Sequence, residues 1–225
     1  MIDWRRLFPP TVIGTALGPG VFPDALHPAE EAYLRSRRMS GRREDDFRRG
    51  RTCARRALRG LGLGEAPILI SADRDPLWPG GVVGSITHTE GLAAAVVASD
   101  DQILGVGVDA ERLERAGADL ASVIASAGEA ALWSSAWIGG DWLTALFSAK
   151  ESVFKATFPR TRTFLEFHDV ILTPSPDGHG FTASAGGQRT DTTRLTQISG
   201  RVVFHDRHVV TGAWWRADRT GELGR

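Results

Sequence analysis

The chain has 225 residues, 42% of them hydrophobic, which is enough to bury one large core or two of roughly 100 residues each and too apolar for a disordered chain. Its 27 basic and 27 acidic residues cancel, so bulk charge gives no reason to expect wholesale binding to nucleic acid or an anionic membrane, and any attraction for an anion has to be local. Cys53 is the only cysteine, ruling out an intramolecular disulfide and a thiolate metal site; no signal peptide or run of ~18 apolar residues is evident, so a cytoplasmic protein is expected.

Pro28 to Leu61 reads as a helix in two pieces, with Ser40 placed to cap the second; Phe47, Ala54, Leu58 and Leu61 recur at helical spacings. From Arg35 to Arg59 eleven arginines face only Glu44, Asp45 and Asp46, a basic surface in a neutral chain. Arg43 and Arg51 flank Phe47 on one side, where guanidinium groups either clamp an anion bidentately or snorkel over an amphipathic surface.

Ile68 to Ile70 reads as a short strand ahead of a turn-rich loop. Val82 to Thr87 and Leu92 to Val97 read as paired strands around a turn at His88 to Gly91. That leaves His88 at a strand end, after Gly84, Ser85, Ile86 and Thr87, where amides and hydroxyls could meet a phosphate. The other histidines lack ligand-like spacing.

Ile103 to Glu111 alternates cleanly. Leu104, Val106, Val108 and Ala110 fall on a core face; Ile103, Gly105, Gly107, Asp109 and Glu111 fall on the other, where the glycines leave room for a ligand. Asp109 and Glu111 can reach one hard cation or stand as two solvated charges at a strand end.

Asp141 to Phe158 reads as the second strong helix, ended by Pro159. Phe147, Glu151 and Lys155 recur every four residues on one side, the spacing of an ordinary ion pair as well as of a site. As a site, Glu151 would ligate a metal or act as a base, and Lys155 would neutralise a departing phosphate. Lys150 and Lys155 are the only lysines among the 27 basic residues. An ammonium is a compact point charge that can give up a proton, which a guanidinium effectively never does, so this segment has a chemical reason to keep it. Thr163 to Leu172, Gly180 to Ser184, Thr192 to Ile198, Arg201 to His205 and Val209 to Trp215 read as strands, the last two joined over Asp206 and Arg207. Helix-then-strands thus occurs twice, predicting an α+β protein whose two halves meet near residue 103.

Three ordered segments resemble the surfactin-synthetase type of 4'-phosphopantetheinyl transferase: Gly84-Ser-Ile-Thr-His88, Gly105-Val-Gly-Val-Asp-Ala-Glu111 and Phe147-Ser-Ala-Lys-Glu-Ser-Val-Phe-Lys155. A fourth, Arg42 to Arg55, is similar to the helix that actinobacterial members use near the 3'-phosphate of coenzyme A. The resemblance implies a pseudo-dimer of two similar α+β subdomains, residues 1–103 and 104–225, with the active site in the cleft between them. It implies magnesium, or manganese, held by Asp109, Glu111 and Glu151. Coenzyme A, as co-substrate, would be bound by Arg43, Arg51, Arg74, Ser85, Thr87, His88, Lys150 and Lys155. Asp109, Glu151, Lys155 and His88 would serve catalysis. A serine of an apo acyl or peptidyl carrier protein, activated by Glu151 directly or through water, would attack the β-phosphorus, and Lys155 would assist the leaving 3',5'-ADP. The protein is expected to be a monomer with no nucleic-acid or membrane partner. The sequence departs from the pattern at Asp75, where many relatives carry a basic residue before the proline of the adenine loop; Arg74 stands one position early. A coenzyme A binding protein without transfer activity, and a nucleic-acid-binding module built on the arginine-rich helix, are the competing readings.

Overall fold

The computed structural model describes residues 2–113, 116–137, 141–187 and 195–217. Two antiparallel sheets order the chain. The first joins β1 (Ile13–Leu17), β5 (Leu92–Ser99) and β4 (Val82–Thr89) in the order β1-β5-β4. The second runs β6-β10-β9-β8-β7, from β6 (Ile103–Arg112), β10 (His208–Arg216), β9 (Ile198–His205), β8 (Gly180–Ala185) and β7 (Val170–Pro174). A two-stranded ribbon, β2 (Leu69–Ile70) and β3 (Pro76–Leu77), stands apart.

Each sheet is covered by one long helix. α3 (Arg42–Gly60) lays Ala54, Ala57 and Leu58 on Ala93, Ala95 and Val97 of β5, one face of an alternating strand. α6 (Trp142–Thr161) packs Leu146, Ala149, Val153 and Ala156 against the second sheet through Val209, Ala213 and Trp215. The opposite faces share a third core, where Val96 and Ala98 meet Val106, Val108, Val210 and Trp214, closed by Leu7 and Phe8 from the short α1 (Trp4–Leu7). Shorter helices flank these: α2 (Pro28–Ser36), α4 (Ala121–Ile124) and α5 (Ala127–Ala136). Among the described residues, no helix is long and apolar enough to cross a membrane.

The structure is a mixed fold of helices and sheets, as the alternation of patterns predicts, with several local corrections. The cap of α3 is Gly41 at φ 58°, not Ser40. The β4–β5 turn is confined to Glu90 and Gly91, and His88 lies inside β4 opposite Ala93; the left-handed φ of 82° at Gly91 lets two residues reverse the chain. Pro159 sits in the last turn of α6, and the helix ends at Arg162 in a left-handed cap. Residues 163–166 are irregular, and the strand starts at Val170. Of the strand expected over Thr192 to Ile198, residues 192–194 lie outside the described residues, and β9 begins at Ile198. The hairpin over Asp206 and Arg207 forms, with Asp206 at φ 52°.

Two corrections concern β6. Its pairing with β10 shifts register between Trp215 and Arg216, stepping past Leu104, so Ile103 joins Val106, Val108 and Ala110 in the core while Leu104 packs toward α6. The space beside Gly105 and Gly107 belongs to α6 and not to a ligand. A Cβ at either position would come within 1.9 Å of a helix carbonyl, Ala156 O or Ser152 O. These glycines bring the two motif-bearing elements together.

Candidate active site

Asp109, on β6, is the centre of the cluster and only 4% exposed. Its Oδ1 accepts from Lys155 Nζ at 2.6 Å and Thr87 Oγ1 at 3.2 Å, and its Oδ2 accepts from Ser148 Oγ at 2.8 Å. Ser148 also meets Thr211 Oγ1 at 2.9 Å, while Ser152, one turn along α6, reaches Thr211 Oγ1 at 2.6 Å and its carbonyl at 3.1 Å. The two serines therefore set the register of α6 on β10, which aims Lys155 and Glu151 at Asp109. Thr211 and this use of Ser148 and Ser152 escape the sequence reading; serines spaced four apart in an otherwise apolar helical face are the signal that could have found them.

Glu151 lies beside this pair, its carboxyl pushed above the usual range. Burial is the main cause; the Asp109 charge pushes the same way and the Lys155 ammonium opposes. Two carboxylates in one poorly hydrated place, with a single ammonium between their charges, are a donor set suited to a hard divalent cation. Glu111, two residues along β6, has its own partner and is partly exposed. Among the described residues, no group of three His, Cys, Asp or Glu side chains stands ready to hold a metal in this arrangement.

Ser85 and Thr87, expected to contact phosphate, spend their hydroxyls on the fold. Val108 N donates to Ser85 Oγ at 3.1 Å and Ala110 N to Thr87 Oγ1 at 3.2 Å. β4 and β6 are edge strands of different sheets, and these bonds close the seam between them without a backbone ladder.

Lys150 is also turned away from the cluster. Its ammonium donates to Glu129 Oε2 at 2.8 Å, Ile124 O at 2.8 Å and Phe167 O at 2.6 Å, so its three donors are all used. Burial lowers its pKa, and the Glu129 carboxylate opposes that shift. Glu129 in turn accepts from Leu172 N at 2.7 Å, tying α5, α6 and β7 together. The chemical reason to keep a lysine at 150 is therefore three acceptors that converge on one point, which an ammonium matches and a planar fork does not.

Three adjoining compartments form a trough past the cluster. The first, about 320 Å³, is bordered by Arg43, Phe47, Arg51, Arg74 and His88. Arg51 stacks its guanidinium 4.4 Å from the Phe47 ring centre and donates from Nε to Ile68 O at 2.6 Å; burial lowers its pKa to about 10, which leaves it a cation at neutral pH. His88 is half exposed, with Nδ1 3.6 Å from Asp46. The second compartment, about 340 Å³, shares Arg74, Pro76 and Ile86 with the first and contains Lys155 and Glu151. The third, about 550 Å³, shares Glu151, Phe154 and Phe164 with the second and is otherwise largely apolar, with Val123, Leu165, Phe167 and Val170. Guanidinium groups at one end, an ammonium between carboxylates in the middle and an apolar channel at the other suit a long ligand that is anionic over half its length.

Two family models match the chain. One, the 4'-phosphopantetheinyl transferase N-terminal domain, covers residues 29–98, and the other, the 4'-phosphopantetheinyl transferase superfamily, covers residues 105–211. The chain is 40% identical over 164 residues to the 4'-phosphopantetheinyl transferase PptT of Mycobacterium tuberculosis, a match spanning 71% of each chain. It is 36% identical over 181 residues to the 4'-phosphopantetheinyl transferase Svp of Streptomyces mobaraensis, covering 74% of this chain and 71% of that one. Against the 4'-phosphopantetheinyl transferase Npt of Nocardia iowensis it is 33% identical over 204 residues, covering 84% and 90%.

Proposed function

The chain belongs to the 4'-phosphopantetheinyl transferase superfamily, and from that premise we propose that it moves the phosphopantetheine arm of coenzyme A onto a serine of apo acyl or peptidyl carrier proteins, releasing 3',5'-ADP. The observation that carries the reading is the position of the Lys155, Asp109 and Glu151 cluster midway along the trough, where the diphosphate of a coenzyme A lying lengthwise would come to rest.

Arg43, Arg51 and His88 then hold the nucleotide phosphates, Arg51 already fixed by Phe47 and Ile68. Phe154 and Phe164 border the path of the pantetheine arm. Asp109 and Glu151, with Glu111, would hold magnesium, which neutralises diphosphate charge and aligns the reacting groups when bound. Glu151, its carboxyl raised by burial, is suited to take the serine proton directly or through one water. The serine oxygen bonds to the β-phosphorus as the bond to the 3',5'-ADP oxygen breaks, and Lys155 stabilises that oxygen by donating to it. Lys150 has no part in this scheme beyond holding α6 in place.

The reading extends to a pseudo-dimer of two α+β halves meeting near residue 103, acting as a monomer in the cytoplasm. A shared device supports the two-halves part. In the first half Glu30, fully buried, accepts from Ile68 N and His27 N and pairs with Arg55 of α3; in the second, Glu129 accepts from Leu172 N and pairs with Lys150 of α6. Each glutamate sits in the first turn of the helix that precedes the long one.

Intact-mass analysis of an apo carrier protein incubated with this protein, coenzyme A and magnesium tests the activity. Gain of one phosphopantetheine, dependent on the cation, is expected. Tight coenzyme A binding with no mass gain on several unrelated carriers would replace the transferase by a binding protein.

A further inference from the structure

Of the carboxylates that line the trough outside the cluster, Asp75 is more buried than Asp46 or Asp73. Its side chain is 10% exposed and lines the second compartment, where a second anion would repel a diphosphate. Loop 71–75, between β2 and β3, folds tightly around it. Ser71 Oγ donates to Asp75 Oδ1, Asp73 N donates to Ser71 Oγ at 3.1 Å, and Ser71 N donates to Asp75 O at 2.9 Å. Within that loop Arg74 takes a left-handed φ of 73°, uncommon outside glycine, and its side chain borders both the first and second compartments.

The remaining partner of Asp75 comes from the other half of the chain. Arg162 Nη1 donates to Asp75 Oδ1 at 2.9 Å and lies 3.4 Å from Asp73 Oδ2. Arg162 is the left-handed cap of α6, the helix that carries Glu151 and Lys155, and its guanidinium lies 5.7 Å from the Phe158 ring centre. Burial by itself would raise the Asp75 carboxyl, but the Ser71 and Arg162 hydrogen bonds outweigh it and hold the group below its ordinary value. Asp75 is therefore an anion at neutral pH whose charge is met by Arg162.

We propose that Asp75 and Arg162 form a latch at the wall of the trough that neutralises the Asp75 charge and positions Arg74 to contact the nucleotide end of coenzyme A. Asp75 and Arg162 are positioning residues; Arg74 is the contact. The inference rests on the coenzyme A reading of the trough. It makes a signed prediction that a merely structural pair would not, because losing Arg162 exposes the Asp75 charge to the ligand, whereas losing both charges does not.

The test measures dissociation constants for coenzyme A and for 3',5'-ADP by calorimetry on wild type, Arg162→Ala, Arg162→Lys, Asp75→Asn, Arg74→Ala and the Asp75→Asn/Arg162→Ala double variant. Thermal melts establish that each is folded. Arg162→Ala should weaken both ligands about 10-fold and equally, and adding Asp75→Asn should recover the part of that loss due to the exposed Asp75 charge, leaving the part due to Arg74 positioning. Arg162→Lys should lie near wild type, and kcat at saturating coenzyme A should stay within about two-fold, as expected when only ground-state binding is lost. Additive losses in the double variant, unchanged dissociation constants, or a loss confined to kcat would overturn the latch. If Arg162→Ala does not fold, an Asp75→Asn/Arg74→Ala double variant decides it, since a latch acting through Arg74 leaves Asp75→Asn without effect in the Arg74→Ala background, and an undiminished effect there would overturn it. Wild type that labels carriers while binding is flat across the variants removes the latch alone. Wild type that binds coenzyme A but labels no carrier removes the transferase reading and leaves the binding comparison to decide the latch.

Discussion

Lys150 and Lys155 lie five residues apart on α6, yet their surroundings are opposite in kind. Around Lys150 the protein supplies a carboxylate and two carbonyls, closes over them and leaves the ammonium nothing further to bind. Around Lys155 it supplies one carboxylate oxygen at 2.6 Å and a carbonyl at 3.4 Å, and leaves the side chain about a quarter exposed to the trough. The first is a finished structural bond. The second is a cation held by an anion that also has work elsewhere, so it can be exchanged when a phosphate arrives. The same residue type is thus saturated in one place and left with donor capacity in the other, where the proposed function gives it chemistry, and what separates them is how many acceptors the fold provides.

Four substitutions put this contrast at risk. The largest effect belongs to Lys155→Met, which should lower kcat for carrier labelling by about 10²-fold or more while the melting temperature falls less than in Lys150→Met, because the Asp109 carboxylate that loses its ammonium keeps the hydroxyls of Thr87 and Ser148. Next, Glu129→Ala should cost about 3–5 kcal/mol in urea unfolding, since it leaves the Lys150 ammonium and Leu172 N–H buried without partners, with labelling per folded molecule little changed. A smaller loss, about 1–3 kcal/mol, is expected from Gly107→Ala, and here stability and labelling should fall together because α6 must move off β6 and takes Lys155 with it. At the low end, Arg112→Ala breaks an exposed pair with Glu90 at 2.6 Å and should produce no resolvable change in either assay.

Much of this was legible in the sequence. The long helices at 42–60 and 142–161 follow from apolar spacing, the β9–β10 hairpin follows from its two-residue turn, and the motif residues lead to Asp109, Glu151 and Lys155. Even the division between the lysines was within reach, since five residues along a helix turn a side chain by about 140°. What the local pattern could not supply was the partner. Lys150 is defined by Glu129, Ile124 and Phe167, and Asp75 by Arg162 87 residues away; nothing near either residue announces them. The glycines of β6 signalled a close approach, but α6, not a ligand, is what approaches. Ser85 and Thr87 looked like phosphate contacts because their hydroxyls follow a glycine at a strand; that they seal two sheet edges depends on a strand some twenty residues on.

The most direct test of the contrast is a paired measurement on Lys150→Met and Lys155→Met: thermal unfolding and intact-mass labelling of one apo carrier protein, with rates normalised to folded protein. Lys150→Met should melt well below wild type and label at a normal rate per folded molecule, whereas Lys155→Met should melt above Lys150→Met, bind coenzyme A and label hardly at all. A Lys155→Met protein that labels normally, or a Lys150→Met protein that is stable and inactive, would contradict it.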